Sequence, residues 1–123
     1  MKTILVVDDS PLIRKAIRRI IEPMGFAVVE AGNGVEALEY LADAGSPDCI
    51  LLDVEMPEMD GLTFLKTLRA RGDLGQPPVV MCTTVNAMAT IAEAIQHGAN
   101  EYVMKPFNEA ILGEKLQGIG LVA

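Results

Sequence analysis

Four apolar runs in the chain end in residues that could do chemistry. Ile4-Leu5-Val6-Val7 runs into Asp8 and Asp9. Cys49-Ile50-Leu51-Leu52 runs into Asp53. Val79-Val80-Met81-Cys82 runs into Thr83 and Thr84, and Tyr102-Val103-Met104 into Lys105 and Pro106. If these runs are neighbouring parallel strands, three carboxylates, two hydroxyls and one ammonium meet at one edge of a sheet. Carboxylates at close range repel, and each resists ionising unless positive charge intervenes. Lys105 can offset one negative charge. The remainder invites a hard divalent cation with oxygen ligands, Mg²⁺ above all. One histidine and two separated cysteines make no zinc-type cluster. A lone aspartate after a strand is ordinarily a helix cap or turn residue. The combination is explained as a whole by metal-dependent phosphoryl chemistry, with a carboxylate as nucleophile and cations stabilising the phosphoryl oxygens. Asp53 stands alone after a central run, and spacing ranks it first as nucleophile. The adjacent Asp8 and Asp9 point different ways and suit metal holding.

The elements that would position these groups alternate two periodicities. Short β-branched runs, with Phe26-Ala27-Val28-Val29 as a fifth, suggest strands buried on both faces. Helical patterns separate them. In the first, Leu12, Ile13, Ala16, Ile17, Ile20 and Ile21 form one stripe, with Arg14, Lys15, Arg18, Arg19 and Glu22 opposite. Ser10 is a good N-cap, Pro11 fits the first helical position, and Pro23 and Gly25 stop the helix. A second helix is predicted from about Gly34 to Ala44, with Val35, Leu38 and Leu41 inward. A third runs from about Gly61 to Arg71, with Leu65 and Leu68 inward. A fourth runs from about Ala87 to His97 and ends at Gly98. A fifth, from about Glu109, carries Ile111, Leu112, Leu116 and Ile119, with Gly113, Gly118 and Gly120 weakening its end. The order βαβαβαβαβα with right-handed crossovers predicts an α/β fold: a doubly wound, flavodoxin-like, five-stranded parallel sheet in order 2-1-3-4-5. Ligands of such sheets sit at the carboxyl ends of the strands, beside the switch point.

The chain of 123 residues fits one domain, expected over 1–123, and is long enough to fold without a disulfide or zinc. Ten basic against 17 acidic residues give a net charge of −7, which disfavours non-specific binding to nucleic acid or anionic membrane. No direct DNA binding and no membrane insertion are expected, and the N-terminus is not a signal peptide, so a cytoplasmic location is expected. Cys49 and Cys82 read as buried small hydrophobes, on the order of 10 Å apart in adjacent parallel strands.

The motifs V-V-D-D-S, L-L-D-V-E-M-P-E-M-D-G around Asp53, T-T after the fourth strand and E-Y-V-M-K-P-F stand in fixed order and spacing. In these the chain resembles the receiver domain of two-component response regulators, and in size the single-domain chemotaxis type, over about Lys2 to Leu116. The resemblance implies that Asp53 is the phosphoacceptor, taking a phosphoryl group from a kinase phosphohistidine. It implies Mg²⁺ held directly by Asp9, Asp53 and the backbone carbonyl of Glu55, with Asp8 acting largely through water. Lys105 would contact the phosphoryl oxygens. Thr83 would move to hydrogen-bond the phosphate, and Tyr102 would swing into the vacated space. The Lys105-Pro106 bond is expected to be cis. Pro57, Asp60 and Gly61 would shape the loop after Asp53. Thr84 is bulkier than the Ala or Gly of many relatives. Glu55 and Val85 occupy variable positions that flank the site and tune dephosphorylation.

The expected partners are a cognate histidine kinase or histidine phosphotransfer protein and a downstream effector protein. Chemotaxis and phosphorelay remain open as pathways. The expected protein is a switch, not an enzyme beyond its own phosphorylation and dephosphorylation. A Mg²⁺-dependent phosphatase with an aspartyl nucleophile is an alternative. Its nucleophile would normally follow the first strand, with a second Asp two residues on. A receiver fragment of a longer regulator is another. His97 reads as a solvated helix end. The basic residues Arg14, Lys15, Arg18 and Arg19 read as solvated surface, with kinase docking or an anionic ligand such as a cyclic dinucleotide as alternatives.

Overall fold

The computed structural model describes residues 1–56 and 59–122. Pro57, expected to help shape the loop after Asp53, lies outside the described residues. The elements run β1 (Thr3–Val7), α1 (Pro11–Ile21), β2 (Ala27–Ala31), α2 (Gly34–Ala44), β3 (Cys49–Asp53), α3 (Gly61–Ala70), β4 (Val79–Thr83), α4 (Met88–Gln96), β5 (Glu101–Met104) and α5 (Glu109–Gly118). All five strands are parallel, in order β2-β1-β3-β4-β5, as the alternation of patterns predicts.

Side chains alternate between the two faces of each strand. Leu5, Val7, Ile50, Leu52, Val79 and Met81 pack on one face against α2, α3 and α4. Ile4, Val6, Cys49, Leu51, Val80 and Cys82 pack on the other against α1 and α5. Every residue of β3 and β4 is buried. The edge strands differ from the expectation of burial on both faces. β2 has only Ala31 buried and β5 only Val103, because each lacks a neighbour on one side.

Helix entries follow from local chemistry. Ser10, Asn33, Asp60 and Asn108 each accept a backbone N–H three residues on, capping α1, α2, α3 and α5. Gly61 opens α3 directly under the site. Its N–H donates to the Val54 carbonyl at 3.0 Å, and a Cβ there would collide with the Asp53 carbonyl. The residue must therefore be glycine for α3 to start so close to β3.

Several inward assignments need correction. On α1 only Ile17 and Ile21 are buried, while Leu12 is 76% exposed and Ile13 lines a solvent-open groove with Pro106 and Phe107. Leu12 and Ala16, one turn apart, are both exposed, on the shoulder of the helix turned away from Ile17 and Ile21. On α2, Ala37 and Leu41 face the core and Val35 is exposed, while Gly34 lies against the Met59 side chain, where a Cβ would not fit. Ile111 of α5 is likewise exposed, with Leu112 and Leu116 inward. α4 begins at Met88 after a 3-10 turn at Val85–Ala87, one residue later than predicted, and α3 ends at Ala70.

Candidate functional site

The strand register assembles the site. Val7 lies opposite Leu52, Asp53 opposite Cys82, and Thr83 opposite Met104. Asp8, Asp53, Thr83 and Lys105 therefore all arrive at the carboxyl edge of the sheet. Carboxylate oxygens of Asp8, Asp9 and Asp53 lie within 4.8 Å of one another. Lys105 Nζ donates to Asp8 Oδ2 at 2.9 Å and to Asp53 Oδ1 at 3.0 Å.

Asp8 is held on every side. Its N–H donates to the Ala31 carbonyl at 3.1 Å, its Oδ1 accepts from the Ser10 N–H at 2.9 Å, and it is 2% exposed. Asp53 is also buried and accepts a long 3.4 Å bond from the Glu55 N–H. Asp9 is exposed. Lys105 is fixed through its own backbone, its N–H donating to the Thr83 carbonyl at 2.7 Å, and the Lys105-Pro106 bond is cis as expected.

Burial pushes the Asp53 carboxyl above its ordinary value. The Lys105 hydrogen bond and charge oppose this, and the Asp8 charge adds to it. Burial alone would pull the Lys105 ammonium down, but hydrogen bonds and charge from Asp8 and Asp53 together outweigh it and hold it up. The two directions have different causes: burial dominates at Asp53, whereas two carboxylate partners dominate at Lys105. With Asp9 alongside, the oxygen donors fit a hard divalent ion such as Mg²⁺. Cys82 offers no soft alternative, since burial pushes its thiol up to about 12.

A cleft of about 240 Å³ opens beside Asp53, lined by Glu55, Thr83, Thr84, Asn86 and Lys105 among others. The Thr83 hydroxyl is buried and donates to the Thr84 carbonyl at 3.1 Å. Tyr102 does not line the cleft. It lies opposite Met81 on β5 and packs on the α2–α3–α4 face of the core, with Lys115 Nζ 5.1 Å from its ring centroid. Thr83 and Tyr102 thus share one face of adjacent strands.

Two contributors escape the sequence reading. Asn86 lines the cleft from the turn before α4, and nothing in its type or spacing marks it. Arg14, grouped there with a solvated basic face, donates its Nη1 to the Asp8 carbonyl at 2.6 Å and its Nε to Glu30 at 2.9 Å. Arg18 also reaches Glu30. His97 is exposed at the end of α4, as expected. Among the described residues, no helix is long and apolar enough to cross a membrane.

Known proteins match this arrangement over most of their length. The chain is 38% identical over 115 residues to the chemotaxis protein CheY1 of Helicobacter pylori, covering 93% of each. Its fold superposes on the chemotaxis protein CheY4 of Vibrio cholerae with a TM-score of 0.84 at 35% identity, covering 95% of this chain and 97% of that one. It superposes on the receiver domain of a sensor histidine kinase from Pseudomonas aeruginosa with a TM-score of 0.83 at 28% identity, covering 97% and 98%. That structure has a magnesium ion coordinated in its active site cleft. Residues 4–117 match the model of the response regulator receiver domain, nearly the whole span of sheet and helices, and the chain belongs to that family.

Proposed function

We propose that the chain is a phosphorylatable signalling switch of a two-component system, acting as one receiver unit over 1–123, with Asp53 as the phosphoacceptor. The observation that carries this reading is the Asp53 carboxylate: it ends a fully buried strand, shares one ammonium with Asp8, and opens onto a cleft. A carboxylate oxygen of Asp53 attacks phosphorus. An O–P bond forms as the donor's bond to phosphorus breaks, and the leaving group departs with its electron pair. Lys105 then contacts the phosphoryl oxygens.

Asp9, Asp53 and the Glu55 carbonyl would hold Mg²⁺, with Asp8 acting through water. When bound, the ion supplies charge neutralisation at the transferring phosphoryl oxygens. The Thr83 hydroxyl exchanges its Thr84 partner for a phosphoryl oxygen, and the Tyr102 ring moves into the space released. One local hydrogen bond thereby alters the surface of α4, β5 and α5, which binds a downstream effector. The phosphoryl source is a cognate histidine kinase or a histidine phosphotransfer protein in the cytoplasm. Similarity to chemotaxis proteins supports a chemotaxis output over a phosphorelay. The family fits a switch rather than a classical enzyme.

Acetyl phosphate with Mg²⁺ should add one phosphoryl group, seen by intact mass. Undiminished, stoichiometric phosphorylation of Asp53→Asn would remove the assignment. Amide-resolved NMR with a phosphoryl mimic should show shifts from Ala87 to Phe107, and Thr83→Ala should lose them. Shifts confined to the residues beside the site would sink the switch.

A further inference from the structure

We propose that Arg14 is a positioning residue for the Asp8–Asp9 pair, acting through the Asp8 backbone carbonyl and braced by Glu30. The proposal rests on the reading of the acidic cluster as a Mg²⁺ site.

The Asp8 carbonyl belongs to the peptide plane that joins Asp8 to Asp9. A planar peptide carries its two flanking Cα atoms as one rigid unit. Arg14 Nη1 pins the oxygen of that plane at 2.6 Å, so it sets the direction in which Asp9 leaves the chain. The Asp8 side chain has its own restraints, from Ser10 and Lys105. Asp9 is exposed and, among the described residues, accepts no side-chain hydrogen bond. The orientation of Asp9 therefore depends on the plane before it, and Arg14 is the side chain that holds that plane.

The guanidinium is itself fixed. Its Nε donates to Glu30 Oε1 at 2.9 Å, and Arg18 holds the other Glu30 oxygen, also at 2.9 Å. Arg18 in turn contacts Glu22 at 3.0 Å. A chain of charges thus runs from the end of α1 across β2 to the site. Arg14 is 16% exposed, and its planar fork fits one carboxylate and one carbonyl at a fixed angle.

Electrostatics alone gives the opposite expectation. Arg14 is a cation beside the cluster, so removing it should favour a divalent ion by charge. A positioning role makes removal unfavourable. The sign of the change separates the two.

The test is calorimetric titration of the full chain with MgCl₂, with circular dichroism confirming that each variant is folded. Arg14→Gln should weaken Mg²⁺ binding about ten-fold, the scale for residues that orient metal ligands. Arg14→Lys keeps the charge but loses the fork, and should also weaken it. Glu30→Gln should lose less, and the Arg14→Gln/Glu30→Gln double variant should be no worse than Arg14→Gln alone. Parental or tighter binding by Arg14→Gln and Arg14→Lys would overturn the proposal. If Arg14→Gln does not fold, Arg14→Lys and Glu30→Gln decide by the same criterion. A parent chain that binds no Mg²⁺, or an Asp9→Asn variant that binds it as the parent does, would instead overturn the reading of the cluster.

Discussion

At the carboxyl edge of the sheet, Lys105 lies 2.9 Å from Asp8 and 3.0 Å from Asp53, both carboxylates buried. Just past the end of α3, Arg71 lies 2.7 Å from Asp73, and both side chains stand in solvent. The exposed pair is the shorter and is bidentate, and the guanidinium hydrogen bonds hold the Asp73 carboxyl at about 2. The buried carboxyl of Asp53 moves the other way, above its ordinary value. Distance does not rank the two pairs. Water solvates Asp73 whether or not Arg71 is present, whereas Asp53 has exchanged water for a share of one ammonium.

The largest effect should come from Lys105→Met, which leaves two buried carboxylates without their common partner. We expect a loss of about 2–3 kcal/mol in urea denaturation with EDTA, below the full range for buried pairs because Lys105 is partly solvated. A loss under about 0.5 kcal/mol would place the site in the same regime as the exposed pair. Next, saturating Mg²⁺ should stabilise the parent by about 2 kcal/mol, read as a rise in Tm. Asp9→Asn should abolish most of that rise.

Asp53→Asn should stabilise the metal-free protein at pH 7, by less than Mg²⁺ stabilises the parent, read in urea denaturation. The sign follows from the raised carboxyl. Its favourable contribution is complete below the unfolded value of 3.8 and is lost as pH rises through the higher folded value. The gain over the parent should therefore close as pH falls below about 4. The raised Lys105 ammonium does not confuse this window. Its contribution is complete below its unfolded value of 10.5 and is lost only as pH rises through its higher folded value. The smallest effect should be that of Asp73→Asn, with no measurable change in urea midpoint at pH 7. The Asp73 contribution is present above 3.8, where solvent screens the exposed pair below detection, and it disappears altogether as pH falls through about 2.

The central strands were legible because Ile4–Val7, Ile50–Leu52 and Val79–Cys82 are buried on both faces and leave no periodic ambiguity. Their shared edge was legible because each run ends in a polar residue at the same structural point. The first turn of α1 misleads for a physical reason. The apolar stripe of α1 is wide, and periodicity does not say that only the line of Ile17 and Ile21 meets the core while Leu12 on its shoulder faces solvent. Arg14 and Arg18 mislead differently. Their partner Glu30 lies 16 and 12 residues away on an edge strand, and only the register of β2 brings it beneath α1. Lys105 could be placed at the site by position, yet its division between Asp8 and Asp53 is a matter of side-chain reach, which spacing does not encode.

The two cysteines have a kinetic consequence. Cys49 begins β3 and Cys82 sits one residue before the end of β4, so they mark opposite ends of the sheet's centre. Both are free and buried, and burial pushes each thiol up to about 12. Neither can react with an alkylating reagent until the surrounding structure opens, and the rate of modification then measures that opening. Cys82 lies opposite Asp53 in the register, so anything bound at the carboxylates should slow its labelling through local openings there. Cys49 should respond only to openings that separate the far ends of the strands. Unmodified, the chain thus carries two reporters of sheet breathing, one beneath the site and one remote from it.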